Sequence, residues 1–274
     1  DEVILPSPYY FTHEMAIVMA GGTPVAVPTD ARYQLRLDAL AAAITPRTRA
    51  IVTVSPNNPT GALYPEADLR AINALCRDRG LFHVSDEAYE YFVYGGDAGS
   101  ASHFSAASIA GAEAWTISLF TLSKAYGMAS WRVGYMVVPE SLWDAVNKIQ
   151  DTLLVCPPHP SQAAAAAALH VGRHWAADRL SSLQRMRDLV YDTLSPVADV
   201  PRADGAFYYL IKADTELDSM AASERLIREH RVAVIPGTAF GVAEGCALRV
   251  SFGALEEATA RQGLERLAKG LKDL

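Results

Sequence analysis

The sequence predicts an α/β protein, a mostly parallel sheet with helices on both faces followed by a small C-terminal α+β domain. Three observations carry this expectation. Short β-branched apolar runs alternate with segments of helical period, as in sheets covered by helices. Polar clusters stand directly after several of those runs, where open α/β sheets bind ligands. After Pro201 the spacing of runs changes, which marks a second unit.

Taken in order, Asp1-Glu2 leads straight into Val3-Ile4-Leu5, with no methionine and no preceding cap, so an earlier segment is expected. Ala50 to Val54, Leu81 to Val84, Trp115 to Phe120 and Val133 to Val138 read as strands, and Glu66 to Arg79 as a helix. From Ser161 to Leu194, Ala165, Leu169, Leu180, Leu183, Met186 and Leu194 recur at helical intervals, giving a long helix or a kinked pair. Within it, Ala163 to Ala168 reads as a closely packed helix face. Beyond Pro201 come strands at Ala206 to Ile211, Val232 to Ile235 and Ala247 to Phe252. Helices follow near Ala221 to Glu229 and from Leu255 to Leu271. The expected division is a large domain over 1–180 and a small one over 181–274. No internal repeat or low-complexity tract is evident.

Composition narrows the function. Half the residues are apolar and 20% are charged, enough for a sizeable core. A net charge of -7 argues against a nucleic-acid partner, whose binding needs clustered Lys and Arg. Cys76, Cys156 and Cys246 form no CxxC pair, as befits a reducing compartment. No stretch approaches the roughly 20 apolar residues of a membrane span. A soluble cytoplasmic protein is expected.

Three strand-end clusters carry chemistry. Ser123-Lys124 follows the run Trp115 to Phe120, with Gly127 next and Arg132 eight residues beyond the lysine. A lysine there can form a Schiff base with a carbonyl cofactor, and a nearby arginine can grip a phosphate. Ser85-Asp86-Glu87-Ala88-Tyr89 follows Leu81 to Val84. Asp86 could pair with a protonated ring nitrogen or cap a following helix, and Tyr89 could give a phenolic hydrogen bond or serve packing. Ser55-Pro56-Asn57-Asn58-Pro59-Thr60-Gly61 is a rigid turn that would fix the Asn58 amide.

The segments SPNNPTG, SDEAYE, TLSKAYGMASWRVGY and ALRVSF resemble, in order and spacing over essentially the whole chain, the class I aminotransferases of fold type I that include aspartate aminotransferase. The resemblance implies a pyridoxal 5'-phosphate-dependent transferase with a likeness to that fold. Lys124 would then bind the cofactor and shuttle the α-proton, Asp86 would keep the pyridine nitrogen protonated, and Tyr89 and Asn58 would hydrogen-bond the ring's phenolic oxygen. Thr121 and Arg132 would bind the phosphate, and Arg249, with Asn58, would bind substrate, Arg249 by its α-carboxylate. From Ser7-Pro8-Tyr9-Tyr10-Phe11, Tyr10 is expected to stack on the cofactor ring, and His13 to orient Asp86. Pro236 to Gly241 resembles a mobile loop that closes over substrate.

The resemblance further implies a homodimer with shared active sites, amino-acid and 2-oxo-acid substrates, no metal and no membrane. It also implies a family N-terminal segment ahead of Asp1, without which the chain should expose apolar surface and bind the cofactor weakly. The donor stays open, because Leu153 to His159 offers no cation for a side-chain carboxylate; 2-oxoglutarate is the expected acceptor. A carbon-sulfur lyase, a cyclising synthase or a non-catalytic aminotransferase-like sensor would keep the same cofactor residues.

Overall fold

The computed structural model describes residues 1–95, 102–172 and 174–274. The chain runs β1 (Glu2–Ser7), α1 (Phe11–Met19), β2 (Thr23–Pro28), α2 (Leu37–Ala42), β3 (Thr48–Val54), α3 (Glu66–Arg79), β4 (Phe82–Asp86), β5 (Thr116–Thr121) and β6 (Gly134–Val137). It continues with α4 (Trp143–Leu153), α5 (His159–Val171), α6 (His174–Leu194), β7 (Tyr208–Ala213), α7 (Ser219–His230), β8 (Ile235–Pro236), β9 (Cys246–Ser251) and α8 (Glu257–Asp273).

The larger sheet has the order β2-β1-β3-β4-β5-β6. All neighbours are parallel except β5 and β6. Successive side chains on a strand face opposite ways. Ile4 and Ile51 join a cluster with Leu69 and Ile72 of α3, whereas Leu5 and Val52 join one with Ile17 of α1. Both faces are therefore covered, which is why β1 and β3 read as continuous apolar runs. Helix α3 has acids in its first turn and Arg77 and Arg79 in its last, complementing the helix dipole, and stops at left-handed Gly80.

β4 departs from a purely apolar reading. His83 lies wholly buried between the sheet and α3. Its Nε2 is 2.9 Å from Thr53 Oγ1 and its Nδ1 3.2 Å from Asn73 Nδ2. Asn73 also donates to Thr116 Oγ1 at 2.8 Å and accepts from Trp115 Nε1 at 2.9 Å. A polar layer of matched donors and acceptors thus underlies the middle of the sheet.

The second unit is the antiparallel sheet β7-β9-β8. Its core joins Val190 and Leu194 of α6 to Leu226 of α7 and Leu264, Leu267 and Leu271 of α8. The helical stretch after Ser161 is two helices, α5 ending at Gly172 (φ 74°, ψ -162°), while Arg173 lies outside the described residues. In Ala163 to Ala168 one side packs, Ala165 buried with Ala164 and Ala168 partly buried against Leu122, Met128 and Val133, while Ala163, Ala166 and Ala167 are exposed. The expected strand Val232 to Ile235 shrinks to Ile235–Pro236. Left-handed Arg231 and the bond from Val232 N to Leu226 O spend those residues on terminating α7.

Among the described residues no helix is long and apolar enough to cross a membrane. Apolar side chains are nonetheless exposed along β6, at Tyr135, Met136 and Val137, and on α4, at Ile149 and Leu153.

Candidate active site

Parallel strands bring their carboxyl ends to one edge, so Val54 and Asp86, the last residues of β3 and β4, lie side by side, and Thr121, the last of β5, extends two residues past Leu119, the partner of Asp86. Beyond that edge lies a cavity of about 240 Å³. Tyr10, Asn58, Asp86, Tyr89, Thr121, Ser123, Lys124 and Arg132 line it.

Asp86 ends β4 and is followed by a turn, not a helix. Its Oδ1 accepts from Ala88 N at 3.0 Å, and its Oδ2 lies 2.8 Å from His13 Nε2. His13 stands on α1, on the face of the sheet that α1 covers. The carboxylate is thus held from two sides.

Lys124 follows β5 in the turn Ser123 to Gly127, its Nζ 5.8 Å from the centre of the Tyr89 ring. Its amine is pushed below the ordinary lysine range, chiefly by burial and then by the charges of Arg249 and Arg132; Asp86 acts the other way. Two cations near a half-buried amine favour its neutral, nucleophilic form. Arg132 has a left-handed backbone (φ 54°), and its Nη1 donates to Ala129 O at 2.9 Å. That uncommon conformation ends the short turn Ala129–Trp131 and sets the guanidinium at the cavity rim. Thr121 Oγ1 accepts from Ser123 N at 3.1 Å and donates to Ser123 Oγ at 2.9 Å.

Asn58 is fixed by its turn. Asn57 Oδ1 accepts from Thr60 N at 3.2 Å and Thr60 Oγ1 at 2.8 Å, and Tyr64 N donates to Ser55 Oγ at 3.1 Å. Gly61 (φ 75°) lets this turn meet the start of β7, since a Cβ there would stand 2.6 Å from Tyr208 O. Asn58 Oδ1 accepts from Arg249 Nη1 at 2.8 Å, and its Nδ2 makes a long 3.5 Å contact with Tyr89 Oη. Burial lowers the Arg249 guanidinium, and its Nε is buried without a partner. Such a cation calls for an anion. Phe240 and Tyr208 flank it, with ring centres 4.9 and 4.6 Å from Cζ. The turn carrying Phe240 seals against the first unit, for Tyr9 N donates to Phe240 O at 3.1 Å and a Cβ on Gly241 would strike the Tyr9 ring at 2.4 Å.

The structure therefore gathers Tyr10, Asn58, Asp86, Tyr89, Thr121, Lys124 and Arg132 around one cavity, with His13 behind Asp86 and Arg249 reached through Asn58. Sequence reading missed Tyr208, whose hydroxyl lies 2.9 Å from that of Tyr89, and Phe240 beside Arg249. Tyr208 sits inside a segment that reads as an ordinary strand, with no local signal to mark it, whereas Phe240 lies in the Pro236 to Gly241 loop that the sequence singles out without assigning that side chain a role.

A lysine, an acid and an arginine thus gather at the strand ends of an α/β sheet, with the small second unit reaching them through Arg249 and Asn58, the layout of an enzyme's active site. The model for the family "Aminotransferase class I and II" matches residues 1–267, and the chain belongs to that family of transferases. It is 36% identical over 279 residues to aromatic-amino-acid aminotransferase 2 of Thermococcus litoralis, covering 100% of this chain and 70% of that protein. It is 37% identical to a probable aspartate/prephenate aminotransferase of Aquifex aeolicus over 100% of this chain and 71% of the relative. Among solved structures, a double mutant of Thermus thermophilus aspartate aminotransferase superposes with a TM-score of 0.91 at 34% identity, covering 98% of this chain and 70% of the other. The aromatic aminotransferase of Pyrococcus horikoshii gives 0.92 at 35% identity, over 100% and 74%. These likenesses bear out the fold expected from the sequence, fold type I of the pyridoxal phosphate enzymes.

Proposed function

We propose that this protein moves an amino group from an L-amino acid to a 2-oxo acid, with 2-oxoglutarate as acceptor and pyridoxal 5'-phosphate as cofactor. The observation that carries the reading is the single cavity shared by Lys124, Asp86, Asn58, Tyr89, Thr121 and Arg132. The donor set suits the cofactor: an amine for its carbonyl, a carboxylate for its ring nitrogen, amide and phenol for its ring oxygen, and hydroxyl plus guanidinium for its phosphate. Tyr10 supplies an aromatic wall.

When bound, the cofactor supplies an electron-poor ring that takes up the electron pair left when the substrate's α-proton departs. The protein's share is positional. Asp86, oriented by His13 and the Ala88 N–H, keeps a proton on the ring nitrogen. Lys124, its amine held low by burial and neighbouring cations, accepts and returns the α-proton. Arg249, half-buried with its Nε buried and unpartnered, grips the α-carboxylate in a planar clamp. Thr121 and Arg132 hold the phosphate. Phe240 and the Tyr9–Gly241 contact shut water from that side of the site.

The relatives named for aspartate, prephenate and aromatic substrates support testing dicarboxylic and aromatic donors first. We assign residues 1–180 to a cofactor domain and 181–274 to a small domain, a division supported by the separate core of β7 to β9, α7 and α8, although α6 crosses the boundary unbroken. A homodimer is supported by the apolar side chains exposed on β6 and α4, and a cytoplasmic setting by the free cysteines. The test is a visible absorption spectrum of the cofactor-loaded protein before and after L-amino acids are added singly. The reading expects the band to bleach with a 2-oxo acid released; no change with any amino acid would contradict it.

A further inference from the structure

Four side chains close a circuit across the two units. Arg249 Nη1 donates to Asn58 Oδ1 at 2.8 Å, Asn58 Nδ2 approaches Tyr89 Oη at 3.5 Å, and Tyr89 Oη lies 2.9 Å from Tyr208 Oη. The Tyr208 ring then lies 4.6 Å from Arg249 Cζ and closes the loop. Tyr208 does not line the cavity, so its hydroxyl reaches the site only through Tyr89.

Hydrogen counting shows what that contact can do. A phenol has one proton to donate and two lone pairs to accept with. If Tyr89 gave its proton to Tyr208, nothing would remain for a group in the cavity. If Tyr208 is the donor, the Tyr89 proton is free to point into the cavity, where a bound cofactor's ring oxygen could accept it. The Asn58 contact is too long to enforce this by itself.

Charge decides the direction. Burial raises both phenols. At Tyr208 the bond to Tyr89 and the Arg249 guanidinium oppose the rise while Tyr10 adds to it, whereas at Tyr89 the neighbouring Tyr208, Asp86 and Tyr10 all add to it. The Arg249 guanidinium over the Tyr208 ring strengthens that phenol as a donor, and Asn58 Nδ2 already approaches Tyr89 Oη as a donor, so both neighbours favour Tyr208 giving its proton and Tyr89 accepting.

We propose that Tyr208 is a positioning residue whose hydroxyl donates to Tyr89, so that the single Tyr89 proton is aimed into the cavity at the cofactor's ring oxygen. The proposal rests on the reading of the cavity as a cofactor site. A donor that itself receives a hydrogen bond donates more strongly. Tyr208 therefore makes Tyr89 a better stabiliser of negative charge on that oxygen, while its ring independently supports Arg249.

The experiment is a pH titration of the visible band of the cofactor-loaded protein for the parent, Tyr208→Phe, Tyr89→Phe and the double variant. Weaker donation to the ring oxygen raises the apparent pKa of the chromophore, because the anionic oxygen loses stabilisation. Tyr208→Phe should move the midpoint up by roughly half a unit, in the same direction as Tyr89→Phe but by less. In the Tyr89→Phe background the second change should have no effect, since Tyr208 acts only through Tyr89. The Michaelis constant for the amino acid should stay within about twofold of the parent, because phenylalanine keeps the ring beside Arg249. An unmoved midpoint in Tyr208→Phe, or a shift that persists without the Tyr89 hydroxyl, overturns the assignment. A parent with no titrating visible band defeats the cofactor reading, and this proposal with it.

Discussion

Arg249 Nη1 donates a 2.8 Å hydrogen bond to Oδ1 of Asn58, joining residues 191 positions apart and tying β9 to the turn after β3. The remaining donors of that guanidinium include a buried Nε with no partner, so an anion bound there recovers a hydrogen bond that the protein alone leaves unmade. Lysine offers a point charge without the fork. Arg249→Lys is expected to raise the Michaelis constant for amino acids at least about tenfold, about 1.4 kcal/mol, with cofactor occupancy near that of the parent. Steady-state kinetics and the absorbance ratio check both, and an unchanged Michaelis constant contradicts the assignment.

Asp86 is held by His13 and the Ala88 N–H in a fixed orientation. Asp86→Ala should lower turnover more than about tenfold while the protein still takes up cofactor, because the carboxylate works on charge that develops in the transition state. His13→Phe should lower turnover by less, since the Ala88 bond survives. A turnover within tenfold of the parent in Asp86→Ala would leave the carboxylate as a mere turn-former.

The pH dependence of cofactor capture follows from the Lys124 amine. Burial, Arg249 and Arg132 favour its neutral form, so the reactive species should appear at a pH below the usual lysine value of about 10.4. The rate at which cofactor-free protein binds pyridoxal phosphate, corrected for the cofactor's own ionisation, should rise with pH through that lowered value and then level off. A midpoint at the free-lysine value would show that the neighbouring cations have no influence.

A separate acid sensitivity resides beneath the site. Burial pushes the His83 imidazole down to about 4, against about 6.5 for a free histidine. Between those values the unfolded chain binds the extra proton and the folded one does not, so stability rises with pH there and drains as pH falls. The loss through the window is about 3 kcal/mol. Denaturant midpoints at pH 7 and near pH 4 should fall further for the parent than for His83→Gln. Equal losses would mean that His83 does not govern the acid limb.

Much of the site was legible because its residues sit immediately past apolar runs. Asp86 ends one, Lys124 follows another by a few residues, and Arg132 is close in sequence to Lys124. Local spacing therefore carried their neighbourhood. Tyr208 was not legible, since its partner Tyr89 is 119 residues away and only packing of β7 against the Asn57 turn brings them together. The His83 layer was hidden for a similar reason: its partners Thr53, Asn73 and Thr116 come from β3, α3 and β5. Helix α1 has no buried residue, so it lacks the stripe by which periodicity finds a helix. The short β8 shows a local contest, in which closing α7 claimed residues with strand propensity.

The central claim is that Lys124 carries pyridoxal phosphate, and its most direct test is covalent. Borohydride reduction of the cofactor-loaded protein, followed by digestion and peptide mass mapping, should find the phosphopyridoxyl mass on the peptide containing Lys124 and on no other lysine. The adduct on a different lysine, or none after reduction of a protein that shows the visible band, would contradict the account.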